Sequence, residues 1–138
     1  MHYDVALILL YDSDGKVLLQ HRTEDAATLP GYWAFFGGRV NEGEAPEEAV
    51  RREAKEELDY LPRSPELILE HAFSEGDASG NLYVFAERFA GDMSVLRLQE
   101  GQGWGWFDAG GIKPLRMVAR DRGILEALWK YAGSREAV

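Results

Sequence analysis

The chain has 138 residues, 46% of them hydrophobic, with 15 basic against 24 acidic side chains, a formal net charge of −9 and no cysteine. This length and apolar share suffice for one globular domain over residues 1–138, while the acidic balance argues against duplex nucleic acid or an anionic membrane as partner. Without cysteine there are no disulfides, thiolate zinc sites or cysteine nucleophiles. The longest apolar run, residues 5–11, is too short to cross a bilayer, and the opening MHYD lacks the parts of a signal peptide, so the expected location is the cytoplasm.

Residues 5–10 form a continuous apolar run, as a buried strand does, and DSDG at 12–15 signals a turn into a second strand at 17–22. TEDAATLPG reads as a loop, and YWAFF at 32–36 as a short aromatic strand running into Gly37 and Gly38. Pro46 can open a helix at its first position, where a missing N–H costs nothing, and that helix should reach Leu58 before Pro62 stops it. Residues 67–73 and 82–89 alternate as two strands joined by the loop SEGDASGN, and GWGWFD at 103–108 reads as a further short strand. Residues 120–132 predict a second amphipathic helix with Ile124, Leu125, Leu128 and Trp129 on its apolar face. The expected fold is therefore α/β (α+β): a mixed sheet covered by two main helices, an α/β/α sandwich.

The first helix poses a chemical question. At ~100° per residue, Val50, Ala54 and Leu58 make one apolar stripe, and Glu53, Glu56 and Glu57 crowd the arc beside it, with Glu57 nearest the stripe. Arg51 and Lys55 point toward solvent. Like charges three and four residues apart destabilise a helix. Either this face is simply solvated, as is ordinary for a helix rich in Glu, Lys and Arg, or a cation sits on it. Magnesium and manganese take hard oxygen ligands of this kind.

The surrounding spacing bears on that choice. Gly38 is followed at fixed intervals by Glu44, Arg52, Glu53, Glu56 and Glu57. This resembles the Nudix box, G-x5-E-x7-R-E-U-x-E-E-x-G-U with U bulky and apolar, over residues 38–60. Two positions depart from it: Ala54 is small for a U position, and Asp59 replaces the closing glycine. Because that position follows a helix and calls for a left-handed backbone, Asp59 should cost a little stability.

The resemblance to Nudix (MutT-like) hydrolases implies hydrolysis of a nucleoside diphosphate linked to another moiety, possible substrates including nucleoside triphosphates. It implies Mg2+ or Mn2+ held by Glu53, Glu56 and Glu57, with Arg52 orienting or partly neutralising the cluster. The alternative for Arg52 is a surface ion pair with Glu56 or Glu48. Gly37 and Gly38 let the backbone approach metal or ligand, and Glu44 is expected to fix loop geometry. The water-activating base is a box glutamate or Glu100 in the LQEGQG loop, with Glu75 and Glu87 as weaker candidates. Arg22 is a candidate phosphate contact, and Tyr32, Phe36 and Tyr83 are candidate stacking surfaces for the nucleoside. The expected partner is a small nucleotide, the expected assembly a monomer or homodimer. A second function class is a Nudix domain that binds a nucleotide as a sensor without catalysis, although such domains usually lose a box glutamate.

Overall fold

The computed structural model describes residues 1–99 and 101–136. The strands are β1 (Val5–Tyr11), β2 (Val17–His21), β3 (Trp33–Ala34), β4 (Phe36–Arg39), β5 (Glu66–Glu75), β6 (Ala78–Arg88) and β7 (Gly103–Phe107). The helices are α1 (Pro46–Leu58) and α2 (Ala119–Glu136). β1 lies at the centre of one mixed sheet. It runs parallel to β6 and antiparallel to β2 and β4, while β5 edges β6, and both β3 and β7 pair with β2.

Alternation along β1 divides the core in two. Ala6, Ile8 and Leu10 pack with Phe36, Phe85 and the Val50–Ala54–Leu58 stripe of α1. Leu9 and Tyr11 face the other way, toward Ile124, Leu125 and Leu128 of α2. Trp129, at the edge of that second face, donates its indole N–H to the Gly15 carbonyl at 2.8 Å and ties α2 to the β1–β2 turn.

Two segments differ from the expectation. YWAFF is not one strand. Trp33 and Ala34 pair with β2, whereas Phe36 opens a separate strand on β1 that contains Gly37 and Gly38. Phe35, between them, packs into the α2-side core and Phe36 into the α1-side core. SEGDASGN is not an open loop either. The strands continue through Glu75↔Ala78, leaving Gly76 and Asp77 as a two-residue turn, with Gly76 at φ 60°. Two-residue hairpin turns require positive φ, which glycine supplies at no steric cost.

The helix ends follow local chemistry. Pro46 occupies the first turn, and the Glu48 carboxylate accepts the Ala45 N–H at 2.9 Å, half of a capping box. At the other end Asp59 has φ 53° and ψ 39°, the left-handed conformation, and its carboxylate meets Lys55 Nζ at 2.6 Å. The Lys55 hydrogen bond and charge hold the Asp59 carboxyl below its ordinary value.

These opposed effects make Asp59→Gly informative. Glycine removes a left-handed penalty of about 1 kcal/mol, while an exposed ion pair is worth less than that. The melting temperature should rise by about 2 °C at neutral pH. A carboxylate whose pKa is depressed on folding stabilises above its unfolded pKa, and that contribution is lost as pH falls through the folded value. The advantage of glycine should therefore widen in acid. Equal melting temperatures for parent and variant at both pH values would show that no strain is stored there.

Candidate active site

Two of the three glutamates of α1, Glu57 and Glu53, lie against β4 at Gly37 and Gly38, and Glu56 faces solvent. Glu57, 2% exposed, is the most enclosed. Its Oε1 accepts the Gly37 N–H at 2.9 Å, and its Oε2 lies 3.5 Å from Nε2 of Gln20, which also donates to the Phe35 carbonyl at 3.0 Å. The Glu53 side chain is 16% exposed and that of Glu56 is 59% exposed. Enclosure thus falls with distance from the apolar stripe, as the helical projection implies.

The glycines permit this contact. Gly37 has φ 138°, and a Cβ there would meet the Ala6 carbonyl oxygen at 2.2 Å. A Cβ on Gly38 would meet Glu53 Oε1 at 2.7 Å. A side chain at Gly37 would run into the backbone of β1, on which β4 is paired, and one at Gly38 would displace the Glu53 carboxylate.

Arg52 joins the box together. Its Nε donates to Glu44 Oε2 and its Nη1 to Glu53 Oε1, both at 2.9 Å. Its Nη2 donates to Glu44 Oε1 and to the Arg39 carbonyl, both at 3.0 Å. Glu56 is a looser partner at 3.6 Å. Glu48 caps its own helix rather than pairing with Arg52. Glu44 also accepts the Asn41 N–H at 2.9 Å, so it fixes the loop entering α1. The Glu44 hydrogen bond, with Glu53 adding to it, raises the Arg52 pKa, and the Arg52 and Asn41 hydrogen bonds lower that of Glu44.

Other candidates lie elsewhere. Phe36 is 1% exposed in the α1-side core and has no open face for a base. Arg22 is engaged by Thr28, donating to its carbonyl at 2.9 Å and its hydroxyl at 3.2 Å, so it shapes the loop after β2. Tyr32 has the Arg116 guanidinium 4.6 Å from its ring centroid. Tyr83 pairs with Ala6, which pairs with Gly38, so it shares the α1-facing row two strands away. Burial is the main cause raising its phenol pKa. Glu87 is buried and accepts from the Tyr60 hydroxyl and Ser64 N–H, a structural tie, and Glu75 pairs with Arg120 at the far hairpin. Glu100 lies outside the described residues.

Two contributors escaped the sequence reading. Gln20 was visible only as a polar residue inside the apolar VLLQH strand. Arg39, directly after the glycines, places its guanidinium 3.9 Å from the Tyr3 ring centroid while its carbonyl is held by Arg52.

Tyr3 belongs to a cavity of about 540 Å³ whose walls include Val5, Leu29, Phe73, Leu82 and Val118. Val5 pairs with Arg39 across β1 and β4, and it packs with the α2-side core. The cavity therefore opens on the sheet face opposite α1, one strand from the box. Leu29 stands at its mouth with φ 47°, an uncommon conformation for a branched side chain. A second cavity, of about 390 Å³ and walled by Tyr11, Gly15, Trp129 and Ala132, lies at the other end of β1, away from the glutamates.

Known proteins resemble this chain over different lengths. The chain is 49% identical over 49 residues to the nucleoside triphosphatase NudI of Escherichia coli O139:H28 (strain E24377A / ETEC), a match covering 36% of this chain and 35% of that protein. The chain thus spans about a third of the length of the curated relatives it matches. The crystal structure of MutT protein from Methanosarcina mazei Go1 superposes with a TM-score of 0.78 at 23% identity, covering 94% of each chain. The NUDIX domain of Shewanella oneidensis NrtR, complexed with ADP ribose, superposes at 0.73 with 16% identity, covering 95% of this chain and 87% of that one. These two likenesses establish the shared fold. No helix among the described residues is long and apolar enough to cross a membrane. The family model of the NUDIX domain matches residues 1–128, and with that match the chain belongs to the NUDIX family.

Proposed function

We propose that the chain is a divalent-metal-dependent pyrophosphohydrolase that cleaves the anhydride of a nucleoside diphosphate carrying a further group, a nucleoside triphosphate among them. The observation that carries this reading is the convergence on β4 of Glu57 at the Gly37 N–H, Glu53 beside Gly38 and Arg52 at the Arg39 carbonyl. It supports a chemical role because a solvated helix face would have no use for a carboxylate buried against a strand N–H.

The donor set fits magnesium or manganese by type, since all three side chains offer hard oxygen. As they stand, no three acidic or imidazole groups among the described residues converge tightly enough to hold an ion; Glu56 in particular faces solvent. Glu53, Glu56 and Glu57 would hold the metal, which when bound neutralises pyrophosphate charge and lowers the pKa of water.

The chain's own residues do the rest. Arg52 fixes Glu53 and the Glu44 loop, and the Gly37 N–H aims Glu57. The cavity seats the nucleoside, its apolar walls suiting a base and sugar. Arg39 stands between cavity and box as the cation that meets the connecting phosphates. For the base we retain a box glutamate or Glu100. A nucleotide-binding sensor is the competing reading; it would bind the same ligands in the same cavity without releasing product.

Turnover of a nucleotide panel should require Mg2+ or Mn2+ and stop in excess chelator. Glu57→Gln keeps an acceptor for the Gly37 N–H but loses the charge. It should cut kcat by roughly 10²–10⁴-fold with the metal-free melting temperature preserved. Chelator-resistant turnover would overturn the metal dependence, and unfolding of Glu57→Gln would make that residue a structural partner.

The cavity is tested separately. Val118→Trp fills it without touching the glutamates and should raise KM about tenfold with a smaller change in kcat. An unchanged KM would place the nucleoside elsewhere.

A further inference from the structure

Gln20 is an unexpected residue for its strand. It follows Val17, Leu18 and Leu19 in β2 and is itself 2% exposed. A buried amide is costly unless its polar atoms find partners. The backbone at Gln20 is paired on both sides, with Ala34 of β3 and Trp104 of β7, so the side chain starts from a fixed point. Its amide nitrogen, with two N–H groups to give, lies 3.0 Å from the Phe35 carbonyl and 3.5 Å from Glu57 Oε2. Those two acceptors also decide which end of the amide is which, because a flipped amide would set oxygen against oxygen at both. The amide oxygen faces Gly101 instead, where an added Cβ would lie 3.2 Å from it.

The Phe35 contact is structural. That carbonyl sits where pairing passes from β2 to β1, and one donor satisfies it. The Glu57 contact acts on the box. Glu57 Oε1 already accepts the Gly37 N–H at 2.9 Å. One hydrogen bond sets the place of one oxygen but not the plane of the group, since the last torsion of a glutamate is broad. A donor beside Oε2 sets the plane. Both donors are neutral, so they orient the carboxylate and keep its charge. A lysine or arginine at position 20 would cancel that charge and compete with a metal for the same oxygens. Two N–H groups also do not fill the about four lone-pair sites of an ionised carboxylate.

We propose that Gln20 is a positioning residue that sets the Glu57 carboxylate for a divalent cation, its amide orienting the second oxygen without neutralising it. This rests on Glu57 being a metal ligand.

The test measures Mn2+ binding to the chain without nucleotide, from the spin-resonance signal of the free ion, well below the melting temperature. Gln20→Met keeps the length of the side chain and removes the amide. It should weaken Mn2+ binding by about tenfold or more, the order found for partners that orient metal ligands. In a Glu57→Gln background the same change should matter by less than about twofold, because a residue acting through Glu57 has nothing left to act on. Gln20→Asn draws the amide back by one methylene and serves if the methionine variant does not fold. A merely structural Gln20 would lower the melting temperature through the Phe35 carbonyl and leave Mn2+ affinity unchanged, or lower it equally in both backgrounds; either result overturns the inference. If the parent binds Mn2+ and Glu57→Gln weakens that binding while the Gln20 variants do not, the metal reading survives and only the role of Gln20 fails. If the parent does not bind Mn2+, or Glu57→Gln leaves its affinity unchanged, the underlying reading of Glu57 fails and takes the inference with it.

Discussion

The site depends on how closely α1 can approach β4. Two missing Cβ atoms shape that contact: one at Gly37 would collide with the backbone of β1, on which β4 is paired, and one at Gly38 with the Glu53 carboxylate. There a strand N–H reaches a helix carboxylate, and Glu57 occupies a fixed place against β4. The apolar stripe beneath holds the helix at this height. Val50, Ala54 and Leu58 are completely buried, and the small Ala54 belongs to a helix already seated close to the sheet.

Clustered carboxylates also need compensating charge. Arg52 supplies some of it within the chain, with a geometry that a surface pair would not need. One guanidinium joins the loop glutamate Glu44, the helix glutamate Glu53 and the carbonyl of Arg39. Two contacts of the box, through Arg52 to the Arg39 carbonyl and through Glu57 to the Gly37 N–H, thus meet β4. Glu56, the exposed member, is the part of the cluster with freedom to rearrange.

Much of this was legible in the sequence because it is written in short-range periodicity. The stripe, the enclosure of Glu57 and the left-handed Asp59 follow from positions on one helix and its caps, whereas the partners of Arg52 at Glu44 and the Arg39 carbonyl lie off that helix. What was hidden depends on which strands become neighbours. Alternation in YWAFF cannot reveal that pairing passes from β2 to β1 at Phe35, so Phe36 read as a ligand surface when it is core. Nor can it join Gln20 to Glu57 or Tyr3 to Arg39, since those contacts arise across the sheet. Arg22 looked like a phosphate ligand because its partner, Thr28, lies in a loop without a periodic signal.

The parallel pairing of β1 with β6 has a consequence for how the chain acquires its shape. Val5 through Tyr11 find their partners only at Leu82 through Arg88. Long loops must close before such contacts stabilise anything, and folding slows as sequence separation grows. During synthesis the first hairpin and α1 therefore emerge with the β6 side of β1 still unpaired. The central strand completes its ladder only after β6 has left the ribosome, so assembly is gated by the second half of the chain.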